Sequence, residues 1–101
     1  MPFERITPRP FTSPAIQTYA PLASGVYGIT NAREWIYIGE TDNIQAALLE
    51  HLSDPGTPLM QRQPAGFVFE ICAGTQRSER QGRLITEYAP ACNRTQEHSH
   101  R

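Results

Sequence analysis

Two short words constrain this chain more than anything else in it: Gly25-Val26-Tyr27 and Tyr37-Ile38-Gly39. Each holds a tyrosine and a glycine in a β-prone run, and turn residues Asn31, Ala32, Arg33 and Glu34 lie between them. That pattern predicts a hairpin: a strand Gly25–Thr30, a loop, and a strand Trp35–Thr41. Side chains alternate along a strand, so Tyr27 is expected to share a face with Gly25 and Ile29, and Tyr37 with Trp35 and Gly39. If Ile29 pairs with Trp35, Tyr27 faces Tyr37 and Gly25 faces Gly39. Two phenols would then stand beside bare backbone, with room for a ligand. Taken alone, the pair reads first as a cross-strand aromatic contact that stabilises a sheet.

The run beyond Tyr37 sharpens the pattern. Gly39-Glu40-Thr41-Asp42-Asn43 leads into a helical pattern over Asn43–Leu52, with Ile44, Leu48, Leu49 and Leu52 as its apolar stripe. Thr41 or Asp42 is the expected N-cap, and Asp42 with Gln45 has capping-box spacing. His51 falls near the helix end, where the dipole favours its protonated form. Pro55-Gly56 stops the helix.

This order resembles the GIY-YIG nuclease family, which includes the nuclease component of an excinuclease and several homing endonucleases. The matching text is GVY, a loop, then YIGETDNIQAALLEHL; downstream, Leu84-Ile85, Pro90 and Asn93 repeat the family's closing spacing. The resemblance covers residues 24–93. It implies an α+β fold, a small three-stranded antiparallel sheet flanked by helices. It also implies an active site of two tyrosines, an arginine and often a histidine on the first helix, and a glutamate on a later helix that holds one divalent metal ion. The metal binds the scissile phosphate, a tyrosine helps activate water, and the arginine stabilises charge on the phosphate.

Carried over by position, the catalytic candidates are Tyr27, Tyr37 and His51. The arginine position is Ala47 and the glutamate position is Gln81. Hard divalent cations want charged oxygen ligands. Gln81 is thus only a weak metal candidate, and magnesium or manganese is a cofactor only if the protein is active. Glu79 could replace Gln81 if the helix shifts register; Glu40 and Glu70 are further acids. Gly39, Arg77, Arg80 and Asn93 are the substrate-binding candidates, and Asn93 is also expected to be buried and tied to backbone. The expected function is a nuclease-like domain with impaired catalysis that keeps a nucleic-acid- or protein-binding role. The alternatives are an active metal-dependent DNA endonuclease with a rearranged site and a plain interaction module.

Composition limits the partners. The 101-residue chain carries a net charge of −1, and its nine basic residues are all arginine. Nucleic-acid binders usually show a basic excess, because neutralising phosphates supplies much of the affinity. Arg62, Arg77, Arg80 and Arg83 form either a local phosphate-binding patch or a solvated arginine face. No apolar run is long enough to span a membrane, and residues 1–11 have no export-signal core. A cytoplasmic protein with Cys72 and Cys92 reduced is expected.

The expected organisation is an extended, proline-rich arm over 1–22, the domain over 23–93, and a polar, disordered tail over 94–101 that includes His98 and His100. A short helix is expected over Leu59–Gln63 and a third strand over Phe67–Cys72. A last helix, capped at Ser78 or Thr75, runs to Tyr88.

Overall fold

In a computed structural model that describes Phe3 and residues 7–93, the chain orders as β1 (Arg9–Pro10), α1 (Ser13–Tyr19), β2 (Gly25–Thr30), β3 (Trp35–Thr41), α2 (Ile44–Leu52), α3 (Pro58–Gln61), β4 (Gly66–Ile71) and α4 (Arg77–Tyr88). The tail expected over 94–101, with His98 and His100, lies outside the described residues. The sheet is antiparallel throughout, in the order β1-β4-β2-β3. The α+β reading holds, with β1 as a fourth strand that the sequence did not announce. Two residues pairing with Phe67 and Gly66 are too few to carry a periodicity.

The proline-rich arm is not simply extended. Thr12 caps α1 through its hydroxyl, which accepts from the Ala15 amide, and Pro14 sits in the first turn. There its missing N–H leaves no bond unmade. Ile16 anchors the helix in the core.

Strand β2 is buried at every position, because it lies between β3 and β4 and has helices over both faces. Its alternation sorts the interior into two layers. Tyr27 and Ile29 join Ile44 and Leu48 of α2, with Ile16 and Phe67. Val26 joins Ile38, Val68 and Leu84 of α4 on the other side. In α4, Gln81, Leu84, Ile85 and Tyr88 form one stripe at helical spacing, with Leu84 fully buried and Ile85 and Tyr88 packed beside it.

The register of the hairpin differs from expectation. Tyr27 pairs with Gly39, Ile29 with Tyr37 and Thr30 with Trp35, so Ile36 is the extra residue of a bulge. A bulge reverses side-chain parity. Trp35 therefore leaves the face of Tyr37 and stacks on Tyr88, ring centroids 4.0 Å apart, and on Phe3 at 5.6 Å. Gly28 makes that possible: a Cβ there would lie 2.7 Å from the Trp35 ring.

Caps differ too. Asn43, not Thr41 or Asp42, caps α2 by accepting from the Ala46 amide, and the Gln45 amide donates to the Ala20 carbonyl instead of closing a box. Helix α4 starts at Arg77, ahead of Ser78, and its N-cap Gln76 makes no side-chain cap bond. No helix among the described residues is long and apolar enough to cross a membrane.

Candidate functional site

The two motif tyrosines and His51 meet on one side of the sheet. The Tyr27 hydroxyl lies 2.8 Å from His51 Nε2. The Tyr37 ring sits 6.1 Å from that of Tyr27 and meets the imidazole edge-on at 5.3 Å. His51 gets there because α2 places it two turns after Ile44 and one after Ala47 and Leu48, on the stripe that packs on β2 and β3. The two-residue register difference keeps both phenols on one face, since side-chain parity has period two. They are diagonal neighbours, not directly opposed.

Gly39 faces Tyr27 across the strands and has a definite job there. A Cβ at Gly39 would run into the Tyr27 hydroxyl and ring, and would lie 2.8 Å from Tyr37 Cε2. The Tyr27 phenol lies across the glycine on its way to His51. Gly39, a substrate-binding candidate by sequence, is here part of the seat for Tyr27.

Burial sets the protonation of the pair. It pushes the Tyr27 hydroxyl far above the ordinary phenol range, with Tyr37, Glu50 and Glu40 adding to the effect. It also holds the His51 imidazole below its ordinary range, which Glu50 only partly offsets. The pair is therefore a neutral phenol against a neutral imidazole at physiological pH. The expected helix-dipole protonation of His51 loses to desolvation. Glu50 is the site neighbour that sequence reading missed. It comes directly before His51, and that adjacency was the available signal.

A base whose native pKa is depressed destabilises the fold once the unfolded chain begins to take up the proton. Stability, followed by chemical unfolding, is expected to fall as pH drops from 7 towards 5.5, below the ordinary imidazole pKa of about 6.5. In His51→Gln this slope should flatten. An unchanged slope in that variant would show that His51 does not titrate as described.

The other candidates are elsewhere. Gln81 belongs to the opposite layer and reaches the sheet at edge strand β3, where its Nε2 donates to the Ile38 carbonyl at 3.1 Å. Asn93 is 2% exposed. Its Oδ1 accepts from the Ile38 N–H at 2.7 Å and its Nδ2 donates to the Ile38 carbonyl at 2.9 Å. Both polar ends are thus engaged with backbone, as the tying role requires. Ala47 packs against the cluster that holds Tyr27 and offers no charge.

The arginines split: Arg77 and Arg80 are half-buried in ion pairs, while Arg62 and Arg83 stay exposed. Arg77 pairs with Glu40 at 2.7 Å and also donates to the Ser24 hydroxyl. Arg80 holds Glu70 through two bonds of 2.7 and 2.8 Å, and Arg83 pairs with Glu79 one turn away. The reason is register. Val26 pairs with Glu40 on one side and Glu70 on the other, so the two acids flank it on the α4 face. Arg77 and Arg80, one turn apart on α4, neutralise them. Glu79 points outward, its side chain 72% exposed, so the register shift that would make it a substitute acid does not occur. Arg62 pairs with Glu34 at the other end of the sheet.

The fold agrees with solved structures. The chain is similar to the N-terminal endonuclease domain of UvrC from Thermotoga maritima. Its magnesium-bound form matches with a TM-score of 0.62 at 23% identity, over 75% of this chain and 92% of that one. A point mutant of the same domain, bound to its catalytic divalent cation, matches at 0.64 and 21% identity, over 75% and 91%. This is the GIY-YIG fold. No protein-family model matches the sequence, and no curated protein sequence matches it significantly.

The GIY-YIG neighbours carry a divalent cation, so the residues of this chain can be tested for one. They do not fit. The family site rests on one glutamate, and the matching position here is the uncharged Gln81. Gln81 turns its Nε2 to the Ile38 carbonyl and has only a neutral amide oxygen to offer a cation that wants charged oxygen.

Proposed function

We propose that this chain is a binding domain on the GIY-YIG scaffold in which phosphodiester hydrolysis is lost or strongly impaired. The observation that carries this reading is the fate of the carboxylates. Glu40, Glu70 and Glu79 are each held by an arginine of α4, Glu50 acts on Tyr27 and His51 only as a nearby charge, and the position of the metal acid holds the uncharged Gln81. Losing one preorganised stabiliser of transition-state charge typically lowers a rate by about 10²–10³. Here Ala47 and Gln81 replace two. The Tyr27–His51 pair persists, so the seat of the reaction keeps its shape without its charges.

The retained role is binding, to nucleic acid or to a protein. The ion-paired arginines weigh against autonomous duplex binding, since each must leave a carboxylate to meet a phosphate. Free Cys72 and Cys92 agree with a reduced, cytoplasmic setting.

The wild-type protein is expected to leave supercoiled plasmid and labelled oligonucleotides intact with magnesium or manganese. Fluorescence anisotropy at low salt should show at most weak, salt-sensitive duplex binding. Robust metal-dependent nicking that disappears in Tyr27→Phe would overturn the impaired-enzyme reading in favour of a rearranged endonuclease site.

A further inference from the structure

The outward edge of β3 holds an arrangement that the loss of a metal acid does not by itself explain. In the pairing of β2 with β3, Ile38 directs its N–H and C=O away from β2. An edge strand normally leaves such groups to water, yet Ile38 is fully buried. Three side-chain bonds close the gap: Asn93 Oδ1 takes the N–H, and Asn93 Nδ2 and Gln81 Nε2 both donate to the carbonyl, at 2.9 and 3.1 Å. A carbonyl has two lone pairs, and here both are used.

We infer that Gln81 is a positioning residue for the motif strand, the third arm of a clamp on the Ile38 peptide unit, and that this site has exchanged cation binding for backbone support. The chemistry separates the two uses. An amide donates to a carbonyl; an ionised carboxylate cannot, and would set acceptor against acceptor. A charged cation ligand at this position would forfeit the bond to the strand, whereas the amide keeps that bond and offers a cation only a neutral oxygen. The clamp acts on the site through one peptide: Ile38 precedes Gly39, whose open Cα face seats the Tyr27 phenol that reaches His51. The clamp rests on the binding-domain reading, yet the two can fail separately, since nicking assays report chemistry while amide exchange and stability report the clamp.

The first measurement is NMR of the intact wild-type protein. The Gln81 side-chain amide should be slow to exchange and should show a scalar coupling across the hydrogen bond to the Ile38 carbonyl carbon. Manganese added to millimolar concentration should cause no selective broadening at Tyr27, His51 or Gln81. The second measurement is the pH dependence of Gln81→Glu against wild type. At pH 7 its thermal midpoint should fall by roughly 5–10 °C. The introduced carboxyl can donate only when protonated, so its native pKa is raised. The deficit should then be small below the ordinary glutamate pKa of about 4.3 and open as pH rises through the native value. Gln81→Met fills similar space without a donor and should show a deficit that does not depend on pH. A freely exchanging wild-type amide with no coupling would overturn the clamp. So would a pH-independent Gln81→Glu, or a Gln81→Glu as stable as wild type that binds manganese selectively at Tyr27 and His51.

Discussion

Asn93→Ala should lower the stability of the domain by about 3 kcal/mol, the upper end of the range for stranding a buried polar group. The Ile38 N–H loses its side-chain acceptor, while the carbonyl keeps Gln81. For a domain of this size the thermal midpoint should drop by roughly 12–20 °C. Asn93→Asp separates the two halves of the contact. A carboxylate still accepts from the N–H but sets a buried charge against the carbonyl, so at pH 7 its loss should be at least as large as that of Asn93→Ala and should shrink once acid protonates it. Equilibrium unfolding in urea measures all three proteins. A change near zero for Asn93→Ala would mean that the Ile38 peptide finds water or another partner at no cost, and the clamp would lose its energetic meaning.

Gly39→Ala is the second large effect, and it bears on the site directly. The added methyl occupies the volume of the Tyr27 hydroxyl and ring. Backbone cannot yield easily in a strand paired to β2, so the phenol must move. Overpacking of this kind typically costs about 1–3 kcal/mol. The bond to His51 breaks with it, and the imidazole gains water. Because burial is the first cause of the depressed His51 pKa, the His51 titration followed by NMR should move up towards the ordinary range. A stable Gly39→Ala protein with an unmoved His51 titration would show that Tyr27 has space beyond what its packing implies.

Much of this site was legible in the residues. Strand parity put Tyr27 and Tyr37 on one face, and the run from Tyr37 into α2 put His51 beside them. Strand bounds came from turn residues that break pairing. What escaped has physical causes. A bulge at Ile36 has no sequence signature, so simple alternation puts Trp35 on the face of Tyr37. Thr41, Asp42 and Asn43 all cap helices well, and only the path of the chain from β3 selects Asn43. The ion pairs needed strand order: Glu40 and Glu70 become neighbours of Arg77 and Arg80 only once β3 and β4 flank β2. The first helix hid among prolines because Pro14 suits a first turn as well as it suits an extended arm.

The clamp on Ile38 also bears on how the chain emerges and folds. Its two ends lie 55 residues apart in sequence, and the amide of Phe3 is likewise tied to the Tyr88 hydroxyl across 85 residues. During synthesis β2, β3 and α2 are complete long before Asn93 appears. Over that interval the Ile38 peptide is an unguarded template on the rim of an apolar sheet, the feature that invites strands from other molecules to pair. Asn93 and Gln81 cover that peptide only once the C-terminal part of the domain is in place. A nascent or truncated chain lacking residue 93 is expected to be sticky along β3 even while the rest of its sheet is formed.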